Sequence, residues 1–418
     1  MPFVQVGISE IDTGLAGLER LGAAIGSARL VQLGESSHGV AEFAVQRERV
    51  IRYLHEQKGF SVIALEAPLH DCERAGRSAA RRSAALTLMH CAFPVWTVSE
   101  VEPLVRYVQH ANQGRRPLHL TGFDVQVVGT QGSVFRPAYL RDVIRRVDPG
   151  YARQVYALDS TLIADLTESS KSGRDLVSPA SELQSRLERY AQLLRWLVRR
   201  DADLGRAGVP ARDRLIVRQL ARTAPFTLVA SASPTFAPRL SARDQGMAAN
   251  IEFLMDSLYP GQRIIVWAHN EHIRYGLDDR SARGILGQPS DDVWRRMGFR
   301  LLHRRSEMFT IGLYMRRGFH RLNDGTVRAV SPPQPNSLEE RFGQTGFRVG
   351  FVDMRTGAKS NSVFALPMAA YLWGSTAQRL VLRDEYDGLL LLDSVGPSTR
   401  LQQPGRAVCC AATPLSAP

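Results

Sequence analysis

Four short apolar runs, at residues 29–33, 61–65, 117–121 and 263–268, each give way within a few positions to ionisable side chains, and stretches of helical period separate them. Short apolar runs alternating with amphipathic helices, here 40–56, 80–90 and 100–112, predict an α/β fold with a mostly parallel central sheet flanked by helices. A fifth run at 308–313 extends the pattern. Residues 139 to about 222 differ, being rich in Leu, Arg, Ala and Glu at 3–4 spacing with no strand-like stretch. The expected division is therefore 1–134 as the first part of the core and 135–240 as an inserted helical cap lobe with a cleft beneath it. The second part of the core would be 241–400, and 401–418 a Pro/Ala-rich, disordered tail.

Composition narrows the class. Of 418 residues 44% are hydrophobic and 22% charged, an ordinary globular balance that excludes wholesale disorder. No apolar run approaches the roughly 20 residues of a membrane span, and Met1 to Glu10 lacks a basic segment followed by an apolar one, so neither membrane insertion nor a signal peptide is expected. The net charge of +12 comes from 53 basic residues of which only Lys58, Lys171 and Lys359 are lysine. An arginine bias spread over the chain points to a high-GC bacterial genome rather than to a nucleic-acid partner, because the clusters at 74–82 and 304–305 lack interleaved aromatics and any nucleic-acid module. Cys72, Cys91, Cys409 and Cys410 form no CxxC pair, which predicts reduced thiols in a cytoplasm.

Ligands of open α/β sheets bind outside the carboxyl ends of the strands. Here the first strand runs into Gly34-Glu35-Ser36-Ser37-His38, the second ends at Glu66, the third reaches Asp124, and the fourth ends in His269-Asn270-Glu271-His272. Parallel neighbours would bring these tips together. The helix after the first strand has an apolar stripe of Val40, Phe43, Ala44, Val50, Ile51 and Leu54, and Arg47 stands near its centre where an aliphatic residue is expected. A guanidinium there needs a partner. It either reaches the carboxylates at the strand tips or runs its head along the helix to water.

The segment Leu33-Gly34-Glu35-Ser36-Ser37-His38-Gly39, with Glu42, Phe43 and Arg47, resembles the opening motif of the erythromycin esterase family, whose members include macrolide-esterase-like and succinoglycan-biosynthesis-like proteins. Similar matches occur at Ala64-Leu65-Glu66, Gly122-Phe123-Asp124, Arg243-Asp244 with Met247 and Asn250, and Trp267-Ala268-His269-Asn270-Glu271-His272-Ile273. Asn336-Ser337-Leu338-Glu339 and Tyr386-Asp387-Gly388 are similar to its closing segments. The resemblance implies an α/β core, a helical lobe and a deep cleft. In macrolide-inactivating members it implies hydrolysis of the macrolactone ester by activated water. Carried over by position, His38 would be the general base with Glu35 beside it, and Arg47, Glu66, His269 and His272 would line the same cleft. Asp124, Asn270, Arg243 and Trp267 are the positions expected to bind substrate.

The residue types suit that chemistry. An imidazole can deprotonate water near neutral pH, a carboxylate from Glu35 or Glu66 would fix its tautomer, and Arg47 or His272 would serve the oxyanion. No covalent intermediate, metal or other cofactor is expected, and the partner is a small molecule. Two other routes stay open. Ser36 or Ser37 could act as nucleophile, although no G-x-S-x-G elbow is present and Ser37 could equally cap the helix. Glu35, His38, Glu66, His269 and His272 could form a divalent-metal sphere. The alternative function is a natural-product biosynthetic enzyme using the same groups for cyclisation, elimination or epoxide opening. Antibiotic resistance and secondary metabolism both suit such a chain.

Overall fold

The computed structural model describes residues 9–10, 15–172, 180–233, 235–276, 295–355 and 363–401. Its strands are β1 (Ser9–Glu10), β2 (Leu30–Leu33), β3 (Phe60–Pro68), β4 (His119–Asp124), β5 (Arg263–Trp267), β6 (Met308–Arg321), β7 (Val327–Ala329), β8 (Val349–Asp353), β9 (Met368–Leu372), β10 (Thr376–Leu380) and β11 (Gly388–Val395). Among the described residues they form one large sheet in the order β1-β8-β11-β6-β2-β5-β3-β4, with β7 attached to β6 and β9–β10 as a separate hairpin. The six strands from β11 to β4 are parallel, and β8 and β1 close one edge antiparallel. A mostly parallel α/β sheet is thus what the chain forms.

Successive side chains of a strand point to opposite faces, so short continuous apolar runs serve two cores at once. Leu30, Val62, Ala64, Ile264 and Val266 join the core on one face. Val31, Leu33, Ile63, Leu65, Ile265 and Trp267 join the core on the other. That second face is covered by α2 (Ala41–Lys58), α4 (Ala84–Cys91) and α5 (Glu102–Ala111); α1 (Glu19–Ile25) packs at its margin, and α3 (Leu69–Arg77) follows β3. The first face carries α6 (Arg136–Ile144), α7 (Pro149–Ser172), α8 (Ala180–Arg199), α9 (Asp201–Arg206), α10 (Ala211–Ala232) and α11 (Phe236–Phe253). No strand occurs among the described residues between β4 and β5. The expected boundary at residue 240 falls inside α11, so no break in the chain marks it.

The C-terminal part holds more sheet than the sequence led us to expect. The run at 308–313 continues to Arg321 because β6 outgrows the sheet and pairs with β7. Strands β8 and β11 were not anticipated. Leu389 to Leu392 has no period of its own, and its strand character comes from the flanking β6 and β8. The tail at 402–418, with Cys409 and Cys410, lies outside the described residues, as does Trp294. The expectation of reduced thiols is corrected for the other two cysteines. Cys72 of α3 and Cys91 of α4 are buried and disulfide-bonded, because the helices fold back on each other across 19 residues of sequence. The reason for a reducing cytoplasm goes with it. No helix among the described residues is long and apolar enough to cross a membrane.

Candidate active site

Register sets the site. Leu33 of β2 pairs with Trp267 of β5, Trp267 with Leu65 of β3, and Leu65 with Gly122 of β4. The residues that follow, Glu35, His269, Glu66 and Asp124, therefore emerge at one edge. Gly34 is required there, because a Cβ would collide with the Asn270 side chain. Gly39 ends the loop at φ +67°, a conformation that glycine adopts freely. Helix α2 then begins at Ala41, whose N–H is met by Gly396 C=O, so neither Ser36 nor Ser37 caps it.

Arg47 does not run its head to water. It is fully buried, donates from Nε to Gly34 C=O at 2.8 Å and from Nη2 to Glu35 Oε2 at 2.9 Å, and lies 4.3 Å from the centroid of the Trp267 ring. This geometry assigns it to Glu35 rather than to the oxyanion. The other carboxylate oxygen, Glu35 Oε1, meets His38 Nδ1 at 2.6 Å and accepts from Trp96 Nε1 at 2.9 Å. Burial would push the Glu35 carboxyl up, but Arg47 and His38 hold it below the usual range. Nδ1 of His38 is committed to Glu35, and no partner for Nε2 occurs among the described residues.

Glu66 belongs to a second cluster. Its Oε1 accepts from Arg243 at 2.6 Å and lies 3.3 Å from His272 Nε2, while Oε2 accepts the backbone N–H of His269 at 2.9 Å. Arg243 also binds Asp124 through Nε at 3.1 Å and Nη2 at 2.5 Å. Nδ1 of His272 meets Asp244 at 2.7 Å. Burial opposes protonation of His272, yet Asp244 and Glu66 outweigh it and raise its pKa to about 9. His272 is therefore an imidazolium held by two carboxylates, not a spare oxyanion donor. His269 differs. Burial and the neighbouring His38 take its pKa down to about 3 against the pull of Glu35, Glu271 and Glu66. Its Nδ1 accepts the Glu271 N–H at 3.2 Å, which leaves the proton of the neutral ring on Nε2, a buried atom with no partner among the described residues.

These groups back a cleft of about 690 Å³ between the sheet edge and α7, α10 and α11. His38, Glu66 and Arg243 form its polar end, and Phe93, Trp96, Val125, Val127, Leu166, Phe236 and Leu240 line much of the rest. Two expected substrate contacts face protein instead. Asn270 is fully buried and bridges to both backbone groups of Leu313, and Trp267 is covered by Arg47. Asp124, a third expected contact, accepts the Gln126 N–H at 3.0 Å, closing the following turn, and anchors Arg243. Ser37 Oγ lies 2.8 Å from His320 Nδ1, and both residues are buried. Among the described residues no group of three or more His, Cys, Asp or Glu is arranged to hold a metal ion. The five considered for that role are divided between the two clusters and His269. Trp96 and Trp373, which the sequence did not single out, both edge against the His38 ring, with centroids 5.1 Å away. Neither has a spacing signal in the sequence.

The profile of the erythromycin esterase family matches residues 55–395, beginning downstream of the Gly34 to Gly39 motif. Among curated relatives, the Bacillus subtilis protein named "Putative hydrolase YbfO" is 28% identical over 386 residues, covering 88% of this chain and 84% of its own. Erythromycin esterase type I of Escherichia coli is 26% identical over 269 residues, 61% of this chain and 64% of its own. A Bacillus cereus crystal structure aligns with a TM-score of 0.78 at 19% identity, covering 96% and 98% of the two chains. A mutant of the erythromycin esterase EreC in its open conformation aligns with a TM-score of 0.66 at 19% identity, covering 93% and 98%. With the profile spanning most of its length, the chain belongs to the erythromycin esterase family.

Proposed function

We propose that this chain is a hydrolase that cleaves an ester or lactone of a macrolide-like small molecule with water activated by His38. The observation that carries this reading is the His38 Nδ1 to Glu35 contact of 2.6 Å, with the carboxylate held in turn by Trp96 and Arg47, at the polar end of the cleft. Glu35 fixes the tautomer in which Nδ1 carries the proton, so Nε2 is the base. Water bound between Nε2 and the substrate carbonyl loses its proton to His38 as it attacks. Glu35 stabilises the imidazolium that forms. The tetrahedral oxyanion is met by the Nε2–H of His269, whose depressed basicity keeps it a neutral donor. On collapse the leaving alkoxide takes the proton back from His38, giving acid and alcohol with no covalent intermediate. The apolar length of the cleft would accommodate the hydrocarbon face of a large lactone.

The test is incubation with a 14-membered macrolide in oxygen-18 water, comparing the native protein with His38→Gln. The expected result is a product heavier by one labelled water, formed at least about 100-fold more slowly by the variant. Turnover unchanged in His38→Gln would remove the assigned base. A product that gains no solvent oxygen would favour biosynthetic acid–base chemistry on the same groups.

A further inference from the structure

The reading above leaves unused the residue that covers the two facing histidines. Trp373 stands at the tip of the β9–β10 hairpin, in a three-residue connection where Ser375 N–H reaches Leu372 C=O at 3.3 Å across the turn centred on Trp373 and Gly374. Its φ is 55° and that of Gly374 is 65°, the pair of left-handed residues that a tight hairpin turn requires. Asn and Gly are suited to those positions, whereas a bulky aromatic side chain avoids them. Asn336 is the other non-glycine residue with positive φ among the described residues.

The conformation is held from outside the turn. Trp373 N–H donates to Ser36 C=O at 2.7 Å, tying the tip to the loop that carries Glu35 and His38, and Ser331 N–H donates to Gly374 C=O at 2.7 Å. The indole then lies stacked on His269, with centroids 4.4 Å apart and planes 19° from parallel. It meets His38 edge-on at 5.1 Å and 80°. His269 and His38 are themselves 5.1 Å apart. A strained residue held by two long-range hydrogen bonds against both imidazoles fits functional strain better than simple filling of space.

We infer that Trp373 is a positioning residue of this site, whose indole face keeps the His269 ring fixed and dry so that His269 stays a neutral ring with its proton on Nε2. The inference rests on the hydrolytic reading for what that proton does, but not for the stacking itself. The groups facing His269 are Glu35 and His38 from the loop after β2, Glu66 from β3, Glu271 from α12 (Asn270–Ile273) and Trp373 from the hairpin. Three of these are carboxylates that favour an imidazolium; burial, to which the stacked indole contributes, and the neighbouring His38 oppose it. Without the stack, water reaches the ring, the burial that suppresses protonation weakens, and His269 takes up a proton on Nδ1, where it opposes the Glu271 N–H that fixes the ring.

The test compares Trp373→Asn with Trp373→Phe. Asn suits the left-handed turn and removes the ring; Phe retains an aromatic face and the strain. The C–H resonances of the His269 imidazole, followed through a pH titration, need no substrate. Trp373→Asn is expected to melt no lower than the native protein, yet to titrate His269 at visibly higher pH. Its kcat on any ester the native enzyme turns over is expected to fall about 10- to 100-fold with KM little changed. Trp373→Phe should follow the native titration and recover most of the rate. An unaltered His269 titration in Trp373→Asn overturns the inference, as does a shift in Trp373→Phe equal to that in Trp373→Asn. Should the Asn variant not fold, Trp373→Gly, which also suits the left-handed turn and removes the ring, is titrated in its place with the same outcomes. Failure of the hydrolytic reading would appear separately, as absence of labelled product from the native protein with the His269 titration behaving as expected.

Discussion

Two buried charge clusters sit side by side at the carboxyl edge of the sheet, and each contains a histidine clasped by a carboxylate. In the first, Glu35, itself held by Arg47 and Trp96, engages one nitrogen of His38, and the other has no partner among the described residues and faces the cleft. In the second, Glu66 and Asp244 hold both nitrogens of His272, while Arg243 joins Glu66 to Asp124. Arg296 lies 3.7 Å from Asp244, so three carboxylates face three cations. The difference teaches that a His–carboxylate pair is not in itself catalytic. Proton transfer needs a nitrogen with nothing bound to it. A histidine with a carboxylate at each nitrogen, as His272 has, is drawn toward the cation that neutralises them.

Removing the cation from the second cluster should have the largest effect. Arg243→Met leaves Glu66 and Asp124 buried without their common partner, and stability is expected to fall by about 3–5 kcal/mol in urea unfolding. A loss below about 1 kcal/mol would show that the cluster is not held by this arginine. The two histidines should then part company. His272→Gln is expected to lower stability near neutral pH by more than His38→Gln, while His38→Gln abolishes turnover without a comparable loss. Because the folded pKa of His272 is raised to about 9, its contribution is full below the unfolded value near 6.5 and is lost as pH rises through 9. Thermal unfolding between pH 6.5 and 9 should therefore show a decline in the native protein that His272→Gln lacks. Equal pH profiles would dissolve the distinction between the clusters. The smallest effect concerns how the first cluster is pinned. Trp96→Phe removes one donor from Glu35 and should cost about 1 kcal/mol of stability, with a lower kcat and an unchanged requirement for His38. An unaltered kcat would show that Arg47 alone suffices to hold the carboxylate.

The parts of this site that could be read in the sequence are those set by local rules. A parallel sheet follows from the spacing of its apolar runs, and Glu35, Glu66 and His269 follow from their place one or two residues beyond them. Arg47 stands out because helical periodicity demands an aliphatic residue there, and its full burial against Glu35 gives the reason for the exception. Trp96 and Trp373 escaped because neither belongs to a periodic segment. One lies in the irregular stretch after α4, and the other in a turn whose sequence, Leu-Trp-Gly-Ser, carries an aromatic where Asn would be the usual signal. Asn270 and Trp267 misled in the opposite way, since nearness in sequence to His269 places a residue at the edge of the sheet but does not choose the side it faces. Strand β11 was hidden because a run of leucines is neutral between helix and strand until its neighbours are known.

The central place of β2 has a kinetic side. Its partners β5 and β6 lie roughly 230 to 280 residues further along the chain. At a synthesis rate of about 5–20 residues per second, the strand that leads into Glu35 and His38 waits on the order of 10 seconds or more for something to pair with. Strand β2 is thus among the last to find its place although it is made well before its partners, and the candidate site can assemble only after β5 and β6 have left the ribosome. A chain truncated before β5 would lack both neighbours of β2, and with them the frame that sets Glu35 and His38.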